Sequence, residues 1–131
     1  MQESLKLVIE QCAHDSYAGT RNFGEIVGAL AAAGIESYRA DYRAPATTYY
    51  TPSGHTHTLP LHAPDIEIAD AFDPQALQAA IRGAQRGEVK YPEFLKLSMA
   101  AGCVSYIVWI AGRHVSYFGR RGETHTERFP T

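Results

Sequence analysis

AAGIESYRADYRAPATTYYTPSGHTHT (residues 32–58) and AAGCVSYIVWIAGRHVSYFGRRGETHT (residues 100–126) are two versions of one pattern. Each opens on a small-residue helix end and a glycine, then runs through three short stretches of strand character separated by turns. The correspondence extends without a gap over residues 19–62 and 87–130, at a constant offset of 68. Twelve of those 44 positions are identical: Gly19/Gly87, Glu25/Glu93, Ala32/Ala100, Ala33/Ala101, Gly34/Gly102, Ser37/Ser105, Tyr38/Tyr106, Tyr49/Tyr117, Gly54/Gly122, Thr56/Thr124, His57/His125 and Thr58/Thr126. Unrelated segments of ordinary composition would share roughly three. One unit used twice predicts a fold built around a pseudo-twofold axis.

Each unit reads as two helices followed by three strands. Leu5, Val8, Ile9, Cys12 and Ser16 follow helical spacing, so a first helix over Glu3–Ala18 turns one stripe to the core. Its counterpart starts at Asp73, a good N-cap followed by Pro74 at the first helical position, and buries Leu77, Ala80, Ile81 and Ala84. The second helices begin near Phe23 and near Tyr91 and end at Ala31–Gly34 and Met99–Gly102. Glu25 and Glu93 then fall in first turns, facing free N–H groups. In the first strand, Ile35–Arg43, Tyr38, Ala40 and Tyr42 share a face, opposite Ser37, Arg39 and Asp41. Its counterpart Cys103–Ile110 is apolar on both faces apart from Ser105, which predicts a strand covered on both sides or covered by a partner chain. Strands over Thr47–Thr51 and Val115–Gly119 follow, and the third strands carry Thr-His-Thr at 56–58 and 124–126. The expected class is α+β: a duplicated α-α-β-β-β unit, antiparallel meanders with helices on one face.

The whole chain, 1–131, is expected to be one domain of two repeats, about 3–62 and 72–130, joined by a connector at 59–71 that carries Asp65, Glu67 and Asp70. Each half alone would be marginal, so 59–71 reads as a connector and not as a domain boundary. The net charge is −2, and Arg120–Arg121, in a predicted turn, is the nearest thing to a basic patch. Nucleic-acid binding is therefore not expected, and Arg120–Arg121 reads as a solvated tip. The N-terminus has no signal-peptide pattern, and the longest largely apolar run, Cys103–Gly112, is too short to cross a bilayer. Cys12 and Cys103 occupy non-equivalent repeat positions without metal or redox spacing. The expected location is the cytoplasm, with no membrane association.

Candidate chemistry centres on the repeated polar set: Glu25, Tyr38, Tyr49 and His57, recurring as Glu93, Tyr106, Tyr117 and His125. Two copies can form two half-sites or converge on one cleft at the axis. Tyrosine and histidine exchange protons, and glutamate orients imidazole. A purely structural account is simpler and is the one favoured. Glutamates suit helix starts, tyrosines supply apolar bodies with polar tips, and Thr-His-Thr suits strands. His55 and His57, predicted on one strand face, are candidate metal ligands with His62 or Glu25 as a third, and His125 is their counterpart in the second copy. No nucleophile stands beside a base at motif spacing. No phosphate loop, nucleophile elbow or zinc helix is present, so no cofactor is expected.

The stretch Phe72–Pro130 resembles the YdfO-like family of small bacterial proteins, often carried on prophages and sometimes labelled "phage envelope protein". The resemblance rests on I-x-x-x-Q-x-G-E-x-x-Y-x-E-F at Ile81–Phe94, A-A-G-C-V-x-Y at Ala100–Tyr106 and Y-F-G-x-x-G-E at Tyr117–Glu123. It implies a small α+β protein and brings no catalytic residues. Tyr38, Tyr42, Tyr49 and Tyr50, expected to be exposed, favour a non-enzymatic interaction module that binds a protein partner or itself. The alternative is a small-ligand or metal-binding protein, or a small enzyme, using the repeated His/Glu/Tyr set.

Overall fold

Left-handed glycines reverse the chain at the same three places in each half. In the computed structural model, which describes residues 1–130, Gly19 and Gly87 have φ of 72° and 74°, Gly34 and Gly102 have 93° and 86°, and Gly54 and Gly122 have 87° and 84°. Between them run α1 (Glu3–Ala18), α2 (Phe23–Ala32), β1 (Ser37–Asp41), β2 (Ala46–Tyr50) and β3 (Thr56–Pro60). The second half runs α3 (Pro74–Gln85), α4 (Tyr91–Ala100), β4 (Cys103–Trp109), β5 (His114–Gly119) and β6 (Thr124–Arg128). Asn22 caps α2 by accepting from Glu25 N, while Glu25 accepts from Asn22 N, both at 2.9 Å. This reciprocal box satisfies two otherwise free donors. Asp73 caps α3 by accepting from Ala76 N.

All six strands form one antiparallel sheet in the order β3-β2-β1-β4-β5-β6. At its centre Arg39 faces Ile107, two residues that are themselves 68 apart, while Tyr38 faces Val108 and Ala40 faces Tyr106. Outward, the registers match: Tyr38 pairs with Tyr49 and Tyr49 with His57; Tyr106 pairs with Tyr117 and Tyr117 with His125. The strand registers of the two halves thus correspond at the offset of 68. The helices follow it more loosely, with 16 residues in α1 against 12 in α3.

The core lies between the sheet and the four helices. Ile9, Leu30, Leu77 and Leu95 are fully buried, as are Val104 and Val108 beneath them. Three expectations are corrected. Three of the four tyrosines expected on the surface, Tyr38, Tyr42 and Tyr49, are buried, because their face of the sheet is the one the helices cover. β4 is closed on both faces only at its start; Ile107 is half-buried and Trp109 is 38% exposed on the face away from the helices. The Arg120–Arg121 tip is not simply solvated either. Arg120 donates to the Ile68 carbonyl, and Arg121 pairs with the Asp70 carboxylate at 3.0 Å, so the tip ties the connector down. Among the described residues, no helix is long and apolar enough to cross a membrane.

The connector also distinguishes two otherwise equivalent glycines. A Cβ at Gly34 meets nothing within 4 Å, whereas one at Gly102 lands 2.2 Å from the Ala71 carbonyl oxygen. Gly34→Ala is expected to cost about 1–2 kcal/mol, the left-handed backbone alone. Gly102→Ala adds a backbone clash and is expected to cost more than about 4 kcal/mol. Urea denaturation of the two variants measures the difference.

Candidate functional site

Four tyrosines lie side by side across the middle of the sheet. Ring centroids are 5.2 Å apart for Tyr49 and Tyr38, 6.5 Å for Tyr38 and Tyr106, and 5.7 Å for Tyr106 and Tyr117. Their alternation within each strand aims them all at the helices. The helices do not close completely over them. A cavity of about 150 Å³ remains under the C-terminal halves of α1 and α3 and the starts of α2 and α4. Its lining is nearly twofold: Ala13 answers Ile81, Phe23 answers Tyr91, Ile26 answers Phe94 and Thr47 answers Val115, beside the two tyrosine pairs. Residues of both halves therefore line the same cavity.

The tyrosines differ in their hydrogen bonds. Tyr106 Oη lies 2.7 Å from Tyr91 Oη, and Tyr42 Oη lies 2.9 Å from Ser98 Oγ. Tyr38 has no such partner, because the residue equivalent to Tyr91 is Phe23. The hydroxyls of Tyr38, Tyr49 and Tyr117 make no hydrogen bond among the described residues, although these residues are only 6–7% exposed. His57 Nε2 is the one side-chain polar atom among those residues that is both sealed and unpartnered. The three hydroxyls therefore open into the cavity.

Burial pushes the phenols of Tyr38, Tyr42 and Tyr106 well above their ordinary value, and those of Tyr49, Tyr91 and Tyr117 upward as well. They stay neutral across physiological pH and can both donate and accept. Cys12, on the cavity wall, is also raised by burial, and Cys103 is pushed up to about 11. Both are free and in the thiol form, which is a poor nucleophile.

Of the other expected site residues, the glutamates stand apart from the tyrosines and the histidines lie beside them. Glu25 and Glu93 are exposed at the starts of α2 and α4, and Glu25 is occupied by the capping box. His57 and His125 flank the tyrosine row, each with a side chain 18% exposed. His57 Nε2 stands 3.4 Å from Glu10 Oε1, out of hydrogen-bond alignment. His125 Nε2 stands 3.2 Å from Glu127 Oε2. Each histidine thus has a glutamate, supplied from a different place in each half. His55 lies one residue before β3 and is exposed, whereas His57 lies within the strand and is half-buried. Among the described residues, no three His, Cys, Asp or Glu side chains gather as a metal site. The sequence reading missed Glu127, Tyr91 and Phe129 as cavity lining. The available signal was the offset: inward positions of β6 and starts of the second helices answer lining positions of the other half.

The family described as "Protein of unknown function (DUF1398)" matches residues 11–127. Uncharacterized protein Rv2012 of Mycobacterium tuberculosis is 36% identical over 59 residues, 45% of this chain and 36% of the relative. Uncharacterized protein Mb2035 of Mycobacterium bovis matches to the same extent. The chain thus covers about a third of the length of these curated relatives.

The buried phenols set an alkaline limit. Their folded pKa values lie above the unfolded value of about 10, so their contribution is complete below that pH. Above it the unfolded chain releases protons first, and stability falls by about 1.4 kcal/mol per pH unit for each such tyrosine. Tyrosinate absorbance is expected to rise in one cooperative step together with loss of circular dichroism, not as independent titrations.

Proposed function

The chain belongs to the family of unknown function DUF1398, and we propose that it binds a small uncharged ring-shaped molecule in the cavity on its pseudo-twofold axis, without chemical turnover. One observation carries this reading. Three phenol hydroxyls, of Tyr38, Tyr49 and Tyr117, have no protein partner and open into a cavity walled mostly by aromatic and aliphatic side chains, with Glu127 among its polar lining. A ligand that accepts or donates a hydrogen bond there would give these hydroxyls a fixed partner inside a mostly apolar cleft. A volume of about 150 Å³ suits a single six-membered ring with small substituents. At about 0.7 kcal/mol per heavy atom, such a ligand of seven atoms would bind with a Kd on the order of 0.1–1 mM.

The repeated glutamates and histidines do not take part directly. Glu25 serves the helix start, and His57 and His125 brace the outer strands. The same cavity supports treating the chain as one domain, since both halves wall it. Two free, buried cysteines are in keeping with a reducing compartment such as the cytoplasm. A second reading keeps the interaction module. Trp109, with half-buried Ile107 and Phe118, lies on the sheet face that the helices leave open. In that reading this face meets a protein partner or a second copy, in the prophage setting that the YdfO-like resemblance implies.

The ligand reading is tested by thermal denaturation with toluene or phenol. At ten times Kd either is expected to stabilise the fold by about 1.4 kcal/mol, a rise in Tm of roughly 4 °C. Ala84→Leu, which fills the cavity from α3, is expected to abolish that rise while the far-ultraviolet circular dichroism stays native. An equal rise in the filled variant would place ring binding elsewhere.

A further inference from the structure

A ligand can tell one end of a twofold cavity from the other only where the repeat breaks. The sharpest break is in the edge strands, where Leu59 on one wall is answered by Glu127 on the other. Leu59 is partly buried and apolar. Glu127 is a carboxylate whose side chain is only 11% exposed. Its Oε1 accepts from Arg82 Nη1 of α3, and its Oε2 faces His125 Nε2 at 3.2 Å. A carboxylate offers about four acceptor positions, so two remain after these contacts. The Arg82 guanidinium already offsets its charge, so the site has acceptor capacity to give but no strong demand for a cation. Tyr117, one of the three unpartnered phenols, pairs across the sheet with His125 and lies on this same wall.

Building on the ring-binding reading, we propose that Glu127 is the specificity-determining acceptor of the cavity, and that the ligand is a neutral ring bearing a hydroxyl or N–H donor. The donor points to Glu127, and the plain edge of the ring lies against Leu59. Phenol is the simplest molecule of this class, and toluene is its counterpart of similar size without the donor.

The experiment is a titration of the full chain with phenol, toluene and benzoate, followed by amide shifts in proton–nitrogen NMR. Phenol is expected to bind roughly tenfold or more tightly than toluene, the difference a hydrogen bond to a charged group makes, and to shift the amides of Tyr117 and Glu127. Glu127→Leu, which makes the two walls alike, is expected to keep toluene and lose the preference for phenol. Should that variant fail to fold, Glu127→Gln, of equal size, is expected to reduce the preference several-fold. Equal affinity for phenol and toluene in the unmodified protein would overturn the role of Glu127 and leave the cavity reading intact. So would a preference unchanged in the variants, or benzoate binding more tightly than phenol. Binding of none of the three rings would remove the cavity reading itself.

Discussion

Antiparallel pairing between Ser37–Asp41 and Cys103–Trp109 is the contact on which the rest of the molecule depends. It is the seam between the halves, and its register centres on Arg39 and Ile107, the pair related by the repeat itself. Because side chains alternate along a strand, this register sends Tyr38 and Tyr106 to the same face. A slip of one residue would turn one tyrosine to solvent and bring a polar set inward. The registers farther out carry the pattern to Tyr49 and Tyr117 and then to the two histidines. One choice of alignment at the centre therefore decides the composition of the whole inner face.

Ala40 and its neighbours show how the face accommodates four large rings. Across the seam, Tyr106 faces Ala40, and beyond Ala40 comes Thr47. Small residues thus stand where a further aromatic ring would crowd the axis. The rings settle into stacked, tilted and edge-to-face contacts with centroids 5.2–6.5 Å apart, the range in which aromatic pairs attract. The helices that cover them end early, at Gly19 and Gly87, and the gap between those ends becomes the cavity.

Most of the architecture was legible in the residues. The offset of 68, the glycines, the small-residue helix ends and the strand alternation predicted four helices and six strands in the observed order. Helix caps were partly legible: Asp73 was read, while the box between Asn22 and Glu25 emerged only once both side chains were placed. The tyrosines were the instructive failure. Alternation says that Tyr38, Ala40 and Tyr42 share a face, but it is silent on which face the helices will cover. The same limit applied to β4, whose apolar run fitted cover on both faces or cover by a partner chain: within the chain only its start is closed on both faces. Arg120 and Arg121 looked like an idle tip because their partners, Ile68 and Asp70, lie about fifty residues away in the connector.

The site divides along the same line. From the sequence alone, the repeated tyrosines and histidines could be marked as shared by both units, since identity at a fixed offset requires no coordinates. Sequence also determined where the chain turns, because only glycine enters the left-handed region without strain at those six places. Tertiary structure alone decided that both units contribute to one cavity, that Glu25 and Glu93 stand outside it, and that Glu127 faces Leu59 across it. These are relations between strands and helices brought together by the central seam. Local spacing fixes which way a side chain leaves its own element, and only packing fixes what it meets.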